Sequence, residues 1–126
     1  MQHNAAVLAD GEEILGGTYI AEVDDESVLE ASGTVQASVT GAVLQKLGGS
    51  ASSADASSFR GVNAGVRVYG NAVVRLTDCE ILATAPNATG VFAYEDGVIY
   101  MDHCTVNVTG GVMGAQQPGG NLPGRP

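Results

Sequence analysis

The chain has 126 residues, with 14 acidic side chains against five basic ones and a formal net charge of −9. This length fits one domain, and 5% aromatic residues beside 18 glycines predict a narrow interior filled by small aliphatic side chains. The acidity argues against nucleic acid as a partner because a phosphate backbone would be repelled. No apolar run of about 18 residues is present, so we predict no membrane insertion.

Residues 5–24 predict the first strand-rich unit of the chain. Asp10-Gly11 is typical of a turn, and Gly16-Gly17-Thr18-Tyr19 leads into a strand. How this segment aligns with the later ones is ambiguous from the sequence, so the register of the first unit stays open.

The second unit begins near Ser27 and follows the plan of the third unit at a shift of 39 positions. This shift aligns Leu29 with Val68 and Ala37 with Leu76. The segment 48–63, rich in Gly, Ser and Ala, predicts a loop insertion between the second and third units.

An exact repeat carries the clearest signal, because residues 65–84 match residues 90–109 at a constant spacing of 25. Six pairs are identical: Gly65/Gly90, Val66/Val91, Tyr69/Tyr94, Val73/Val98, Cys79/Cys104 and Thr84/Thr109. Apolar and polar residues alternate within each copy, which is the period of a strand and not of a helix. Side chains that recur one unit later indicate strands stacked in parallel, since one unit cannot bury its inner face alone.

We therefore predict an all-β fold, a right-handed parallel β-helix (β-solenoid) of about four coils. The helix domain covers residues 1–115, with the loop insertion at 48–63, and residues 116–126 form a flexible tail rich in proline and glycine. An antiparallel sandwich does not require exact repeat spacing, and an α-helical array conflicts with the alternation.

The two cysteines, Cys79 and Cys104, are predicted to occupy the inward slot of the same strand in neighbouring coils. Small apolar thiols fill such a slot well, so we interpret them as a core ladder. A disulfide between them is open on distance, although parallel side chains would strain it. A metal site would need two further ligands that the sequence does not place. We predict no metal, no cofactor and no catalytic residue.

Two arginines are predicted to face aromatic rings across coils on the outer surface. Arg67 lies one coil from Phe92, and Arg75 lies one coil from Tyr100. A guanidinium over an aromatic face would join the coils, and a flat surface of this kind could also receive a sugar or a protein.

A polar cluster is predicted where Asp78, Asp102 and His103 meet at one turn. His103 aligns with Asp78 at the repeat spacing. A carboxylate beside an imidazole can serve acid–base chemistry, and it can equally be a surface ion pair of little energetic weight.

The segment 74–81 and its copy 99–106 resemble the coil signature of pectate-lyase-like right-handed parallel β-helices. In that signature an apolar pair precedes a short polar turn, a small inward residue and another apolar residue. The loop 52–59 leading into residues 61–64 is similar to one found in repetitive β-helix proteins of bacterial surfaces. This resemblance implies a fold more than a function, because the superfamily mixes polysaccharide lyases, glycoside hydrolases, adhesins and phage proteins.

We expect a non-enzymatic structural or adhesive module, extracellular or at the cell surface, alone or within a longer surface protein. The alternative is a carbohydrate-active or carbohydrate-binding β-helix acting on a polysaccharide. A glycan or a host or cell-surface protein is the expected partner, together with end-to-end or homo-oligomeric stacking of copies through open strand edges. Residues 1–4 show no signal-peptide features.

Overall fold

The computed structural model describes residues 2–53 and 61–109, and every regular element in these ranges is a β-strand. The strands are short, because turn residues interrupt each alternating apolar run. Their bounds are β1 Gln2–Asn4, β2 Ala6–Val7, β3 Glu13–Leu15, β4 Thr18–Ala21, β5 Leu29–Ala31, β6 Gln36–Thr40, β7 Val43–Lys46, β8 Ala64–Val68, β9 Val73–Thr77, β10 Glu80–Ala83, β11 Thr89–Ala93, β12 Val98–Asp102 and β13 Thr105–Val108.

All strand pairs are parallel, and the strands form three sheets. Sheet 1 has the order β1-β4-β7-β10-β13, sheet 2 the order β2-β5-β8-β11 and sheet 3 the order β3-β6-β9-β12. From β2 onwards the chain visits sheets 2, 3 and 1 in turn, so three consecutive strands make one unit. We number these units 1 (β2–β4), 2 (β5–β7), 3 (β8–β10) and 4 (β11–β13). The all-β prediction is confirmed, and the parallel sheets are compatible with a parallel β-helix.

The pairing of units 3 and 4 confirms the predicted repeat. Val66 pairs with Val91 and Val73 with Val98, both at a spacing of 25. The third sheet of the pair keeps the same spacing from β10 to β13. The identical residues of the two copies therefore lie directly above one another.

The predicted alignment of unit 2 is wrong by two residues. Leu29 pairs with Val66 instead of Val68, and Ala37 pairs with Val74, at a spacing of 37. A shift of two keeps every side chain on its predicted face, so the alternation alone could not reveal the error. Unit 1 keeps the spacing of 25 in sheets 1 and 3 and departs from it only in sheet 2.

One kind of connection absorbs all large variation in unit length. The connection from sheet 3 to sheet 1 has two residues in every unit, at 16–17, 41–42, 78–79 and 103–104. The connection from sheet 1 to sheet 2 varies, covering residue 5, residues 22–28, residues 47–63 and residues 84–88. The predicted insertion falls in the longest of these, and its residues 54–60 lie outside the described residues. The predicted tail at 116–126 also lies outside them.

Aliphatic side chains from all three sheets fill the space between them. Leu29 and Val66 from sheet 2, Val74 from sheet 3, and Leu44 and Ile81 from sheet 1 are fully buried or nearly so. This burial supplies most of the stabilising free energy, at about 25 cal/mol per Å² of apolar surface.

The repeated glycine of β8 and β11 is required by close approach inside this core. A Cβ atom at Gly65 would lie 2.6 Å from the carbonyl oxygen of Gly90 and 2.7 Å from Cγ2 of Ile81. A Cβ atom at Gly90 would meet Val106 in the same way one unit later. The glycine identity therefore makes room for the apolar side chain that sheet 1 sends inward.

A lysine lies among these apolar side chains. Lys46 is fully buried, and its Nζ donates a hydrogen bond to the carbonyl oxygen of Val23 at 2.7 Å. Desolvation lowers the pKa of Lys46 below its ordinary value of 10.5. The negative charges of Glu26, Asp24 and Asp25 act to raise this pKa but do not outweigh the desolvation. The side chain thereby fixes the connection that precedes β5 to the interior.

Replacing Lys46 with methionine should change how stability depends on pH. The lowered pKa means that the folded protein releases the proton more readily than the unfolded chain. The free energy of unfolding of the wild type should therefore rise with pH from the folded-state pKa up to 10.5. Lys46→Met should lack this rise, as measured by urea unfolding over a pH series. Gln45→Met, on the outer face, is the matched control, and parallel profiles for Lys46→Met and wild type would contradict the assignment.

Candidate surface sites

The strand register places three outward side chains of sheet 2 next to one another. Glu30 of β5, Arg67 of β8 and Phe92 of β11 are paired neighbours across three units. Nη1 of Arg67 donates to Oε1 of Glu30 at 2.9 Å, and Nη2 donates to the hydroxyl of Tyr94 at 2.7 Å. One guanidinium therefore connects units 2, 3 and 4.

Aromatic rings complete this group. The rings of Tyr69 and Tyr94 stack with centroids 5.0 Å apart, and Phe92 meets Tyr94 edge-on at 5.9 Å. The carbon of the Arg67 guanidinium lies 4.4 Å from the centroid of Tyr69 and 5.4 Å from that of Tyr94. We call Glu30, Arg67, Tyr69, Phe92 and Tyr94 the Arg67 cluster. Arg67 and Phe92 are neighbours as predicted, but the rings that the guanidinium covers are the two tyrosines.

The charges within the Arg67 cluster balance. Desolvation acts to lower the pKa of Arg67, but the hydrogen bond and the charge of Glu30 outweigh it and raise that pKa. Desolvation also raises the pKa of Tyr94, and Arg67 opposes this. Arg67 therefore stays charged and Tyr94 stays neutral around physiological pH, so the cluster has one cation, one anion and an aromatic surface.

Sequence reasoning missed Glu30, Tyr69 and Tyr94 as members of this cluster. The predicted shift of 39 set Glu30 against Tyr69, whereas the observed shift of 37 sets it against Arg67. The identity of Tyr69 and Tyr94 in the repeat was a usable signal, because identical aromatics at the repeat spacing stack directly.

The outer face of sheet 3 has a second arginine–aromatic pair. The Arg75 guanidinium lies 4.3 Å from the centroid of Tyr100, which confirms the predicted contact between neighbouring units. Beside Arg75 is a shallow depression of about 340 Å³, lined by Gly11, Glu12, Glu13, Gln36, Ala37, Ser38 and Arg75. Two carboxylates and one guanidinium therefore share one surface, an arrangement that sequence reasoning did not find because the register of unit 1 was open.

Asp78, Asp102 and His103 meet at the corner between sheets 3 and 1, as predicted. Nδ1 of His103 lies 3.6 Å from Oδ1 of Asp102 and 3.9 Å from Oδ1 of Asp78. All three side chains are exposed, and both distances exceed that of a hydrogen bond. An exposed pair of this kind contributes about 0–1 kcal/mol.

The backbone at this corner explains why these positions recur. Asp78 has φ 54° and His103 has φ 54°, in the left-handed region that favours glycine. The equivalent first corner residues of units 1 and 2 are Gly16 and Gly41, also with positive φ. The corner therefore requires a residue with positive φ in every unit, whatever the chemistry of its side chain.

The two cysteines are the second residues of the same corners, which corrects their predicted place within a strand. Both are free thiols, with Cys79 buried and Cys104 half-buried beside the core. Burial raises the pKa of the Cys79 thiol, so it is protonated and poorly nucleophilic at neutral pH. Gly17 and Ala42 fill the same position in units 1 and 2, which indicates a requirement for a small inward side chain.

Among residues 2–53 and 61–109, no three His, Cys, Asp or Glu side chains are grouped so as to hold a metal ion. The same part of the chain contains no helix long and apolar enough to cross a membrane.

Arg67 and Arg75 should differ in their contribution to stability. Arg67→Ala removes the charged partner of the half-buried Glu30, which keeps only the 3.4 Å hydrogen bond from the hydroxyl of Tyr69, and should lower the free energy of unfolding by about 1.5–3 kcal/mol. Arg75→Ala, the matched control, removes an exposed cation–π contact of about 0.5–1 kcal/mol. Urea unfolding of both variants measures the difference, and equal losses would show that the links of Arg67 across three units have no special weight.

Two substitutions of His103 should show whether backbone strain or side-chain contacts determine the stability of this corner. His103→Gly gives the residue type of Gly16 and Gly41, and the free energy of unfolding should stay within about 1 kcal/mol of wild type. His103→Val, which is branched at Cβ, should lower it by about 1–2 kcal/mol. Thermal and urea unfolding check both variants. A similar loss in both would mean that the contacts of His103 with the two aspartates stabilise the corner.

Comparison with known proteins does not assign this chain to a family. No family model matches the chain, and no curated protein and no solved structure matches it. What the chain does must therefore be inferred from the residues and contacts described above.

Proposed function

We propose that this chain is a parallel β-helix that serves as a non-enzymatic structural or adhesive module outside the cell or at its surface. One observation carries the structural part of this proposal: polar side chains on the outside bind successive units to one another.

These links occur between every pair of neighbouring units, and the hydrogen bond from Arg67 to Glu30 is the one between units 2 and 3. Oδ1 of Asp10 accepts from the backbone N–H of Gln36 at 2.9 Å, which joins units 1 and 2. Oδ1 of Asp24 accepts from the N–H of Ser50 at 2.9 Å, in the connections that follow these two units. Oε1 of Glu95 accepts from the N–H of Gly70 at 3.0 Å, which joins units 3 and 4. These three carboxylates therefore satisfy backbone groups of a neighbouring layer.

The Arg67 cluster supports the adhesive part. Its charges balance, and its tyrosines and phenylalanine offer flat apolar surface with polar edges, which suits a glycan or a protein partner. A nucleic acid is disfavoured because the chain has a net charge of −9. The resemblance of segments 74–81 and 99–106 to pectate-lyase-like β-helices, and of the loop before residue 61 to bacterial surface proteins, supports a surface location on bacteria.

Binding of the wild-type protein to glycan and surface-protein arrays tests the adhesive role. Phe92→Ala should weaken binding about tenfold or more if the Arg67 cluster is the contact surface. Tyr100→Ala, on the outer face of sheet 3, is the matched control and should bind as wild type. An equal loss of binding in both variants would show that the binding surface is not the Arg67 cluster. Arrays without any bound partner would contradict adhesion and leave the structural role.

A second candidate function is favoured by the depression beside Arg75. Glu12 and Glu13 with Arg75 could bind or act on a polysaccharide, since paired carboxylates are the acid–base groups of glycoside hydrolysis. Oε1 of Glu12 already accepts from the N–H of Ala9 at 2.9 Å, which leaves Glu13 as the residue to substitute. New reducing ends or unsaturated products from acidic or neutral polysaccharides, lost in Glu13→Gln, would establish this function and overturn the non-enzymatic one.

A further inference from the structure

The corner between sheets 3 and 1 brings the two cysteines together in neighbouring layers. Glu80 pairs with Thr105 directly after this corner, and the N–H of Thr105 donates to the carbonyl oxygen of Cys79 at 3.0 Å. The backbones of Cys79 and Cys104 are therefore one strand spacing apart, about 4.8 Å. A disulfide needs Cα atoms about 4.4–6.8 Å apart, so the backbone meets this requirement without moving.

Both sulfur atoms lean towards the preceding layer. Sγ of Cys104 donates to the carbonyl oxygen of Leu76 in unit 3 at 3.4 Å. Sγ of Cys79 donates to the carbonyl oxygen of Val39 in unit 2, also at 3.4 Å. The Cys104 sulfur therefore already extends towards the layer that contains Cys79. Only the Cys79 side chain has to turn, away from Val39 and towards unit 4, which is a change of side-chain rotamer.

The two thiols differ in their access to solvent. Cys79 is 1% exposed, whereas Cys104 is half-buried and has its second hydrogen bond, to the carbonyl oxygen of Asp102, at an exposed position. Burial raises the pKa of the Cys79 thiol, and the neighbouring Cys104 acts in the same direction. A reagent from solvent therefore reaches Cys104 first, and Cys79 can react only with a group already held inside the corner.

Packing alone does not require a thiol at this position. Gly17 and Ala42 fill it in units 1 and 2. The chain has two cysteines, and they occupy the corners of the two successive units 3 and 4. Each thiol therefore has the other as its neighbour across the layers, an arrangement that a need for small side chains does not explain.

We propose that Cys79 and Cys104 are a redox site, which a small disulfide such as oxidised glutathione converts to a disulfide joining units 3 and 4. The Cys104 thiolate attacks one sulfur of the oxidant, forms a mixed disulfide and releases one reduced thiol. The Cys79 thiolate then attacks Sγ of Cys104 and releases the second reduced thiol. The two cysteines lose two protons and two electrons, and the oxidant takes them up as it becomes two thiols.

The resulting cross-link is reversible. Parallel side chains strain a disulfide, and strained disulfides are reduced more easily than relaxed ones. Unit 4 is joined covalently to unit 3 in the oxidised form and is held by backbone hydrogen bonds and packing in the reduced form. Oxidising compartments supply small disulfides, and the reaction needs neither of the binding partners considered above.

Incubation of the folded full chain with oxidised glutathione tests this proposal. The wild type should lose the mass of two hydrogen atoms and retain no glutathione, as measured by mass spectrometry. Cleavage of the denatured product after Glu80 and Glu95 puts the two cysteines on separate peptides, which should stay joined until they are reduced. The oxidised form should have a Tm about 5 °C or more above that of the reduced form, and dithiothreitol should reverse the increase.

Two alanine variants separate the roles of the thiols. Ala42 fills the same position in unit 2, so Cys79→Ala and Cys104→Ala should both fold, which circular dichroism checks. Cys79→Ala should retain one glutathione on Cys104, because the thiol that displaces it is missing. Cys104→Ala is the matched control and should stay unmodified, because Cys79 is buried.

Four results would overturn the proposal. Glutathione retained on Cys104 of the wild type, with Cys79 free, would show that the two sulfur atoms cannot meet. Two free thiols after the incubation would show that the corner does not admit the oxidant. A disulfide between two copies of the chain would show that Cys79 is not the partner of Cys104. Glutathione on Cys104→Ala but not on Cys79→Ala would reverse the order of attack.

Discussion

Everything in this protein depends on the parallel pairing of each three-strand unit with the next. A single unit has an inner face that it cannot bury, so its aliphatic side chains are covered only by the same positions of the neighbouring units. Backbone hydrogen bonds fix the register, and the register decides which side chain lies on which. The glycines at positions 65 and 90 show how tight this stacking is, since a methyl group there would collide with the next layer or with the side chain from sheet 1.

The same register organises the outside. Polar and aromatic side chains form ladders, and their contacts run between layers more than towards solvent: Arg67 reaches Glu30 in one direction and Tyr94 in the other. The corner between sheets 3 and 1 requires a residue with positive φ followed by a small residue. His103 and Cys104 occupy these two positions, so the backbone geometry accounts for them without a chemical role of their side chains.

Contacts at the exact repeat spacing could be predicted from the sequence, and the others could not. Arg75 and Tyr100 differ by 25 positions, as do Asp78 and His103, and the structure brings both pairs together. The contact of Glu30 with Arg67 was not predicted, because the insertion before unit 3 makes the spacing of 37 impossible to identify from the repeat. A strand alternates with period two, so shifts of 37 and 39 satisfy the hydrophobic pattern equally, and only the hydrogen-bonded register distinguishes them.

The sequence by itself determined the strand period, the repeat, the inward and outward faces and the variable length of one connection. These are local or periodic properties, and alternation of apolar residues is enough to specify them. Tertiary structure decided the register across the insertion, the corner position of both cysteines and the burial of Lys46. These depend on which layer covers which, and coverage is a property of neighbours in space that no single strand encodes.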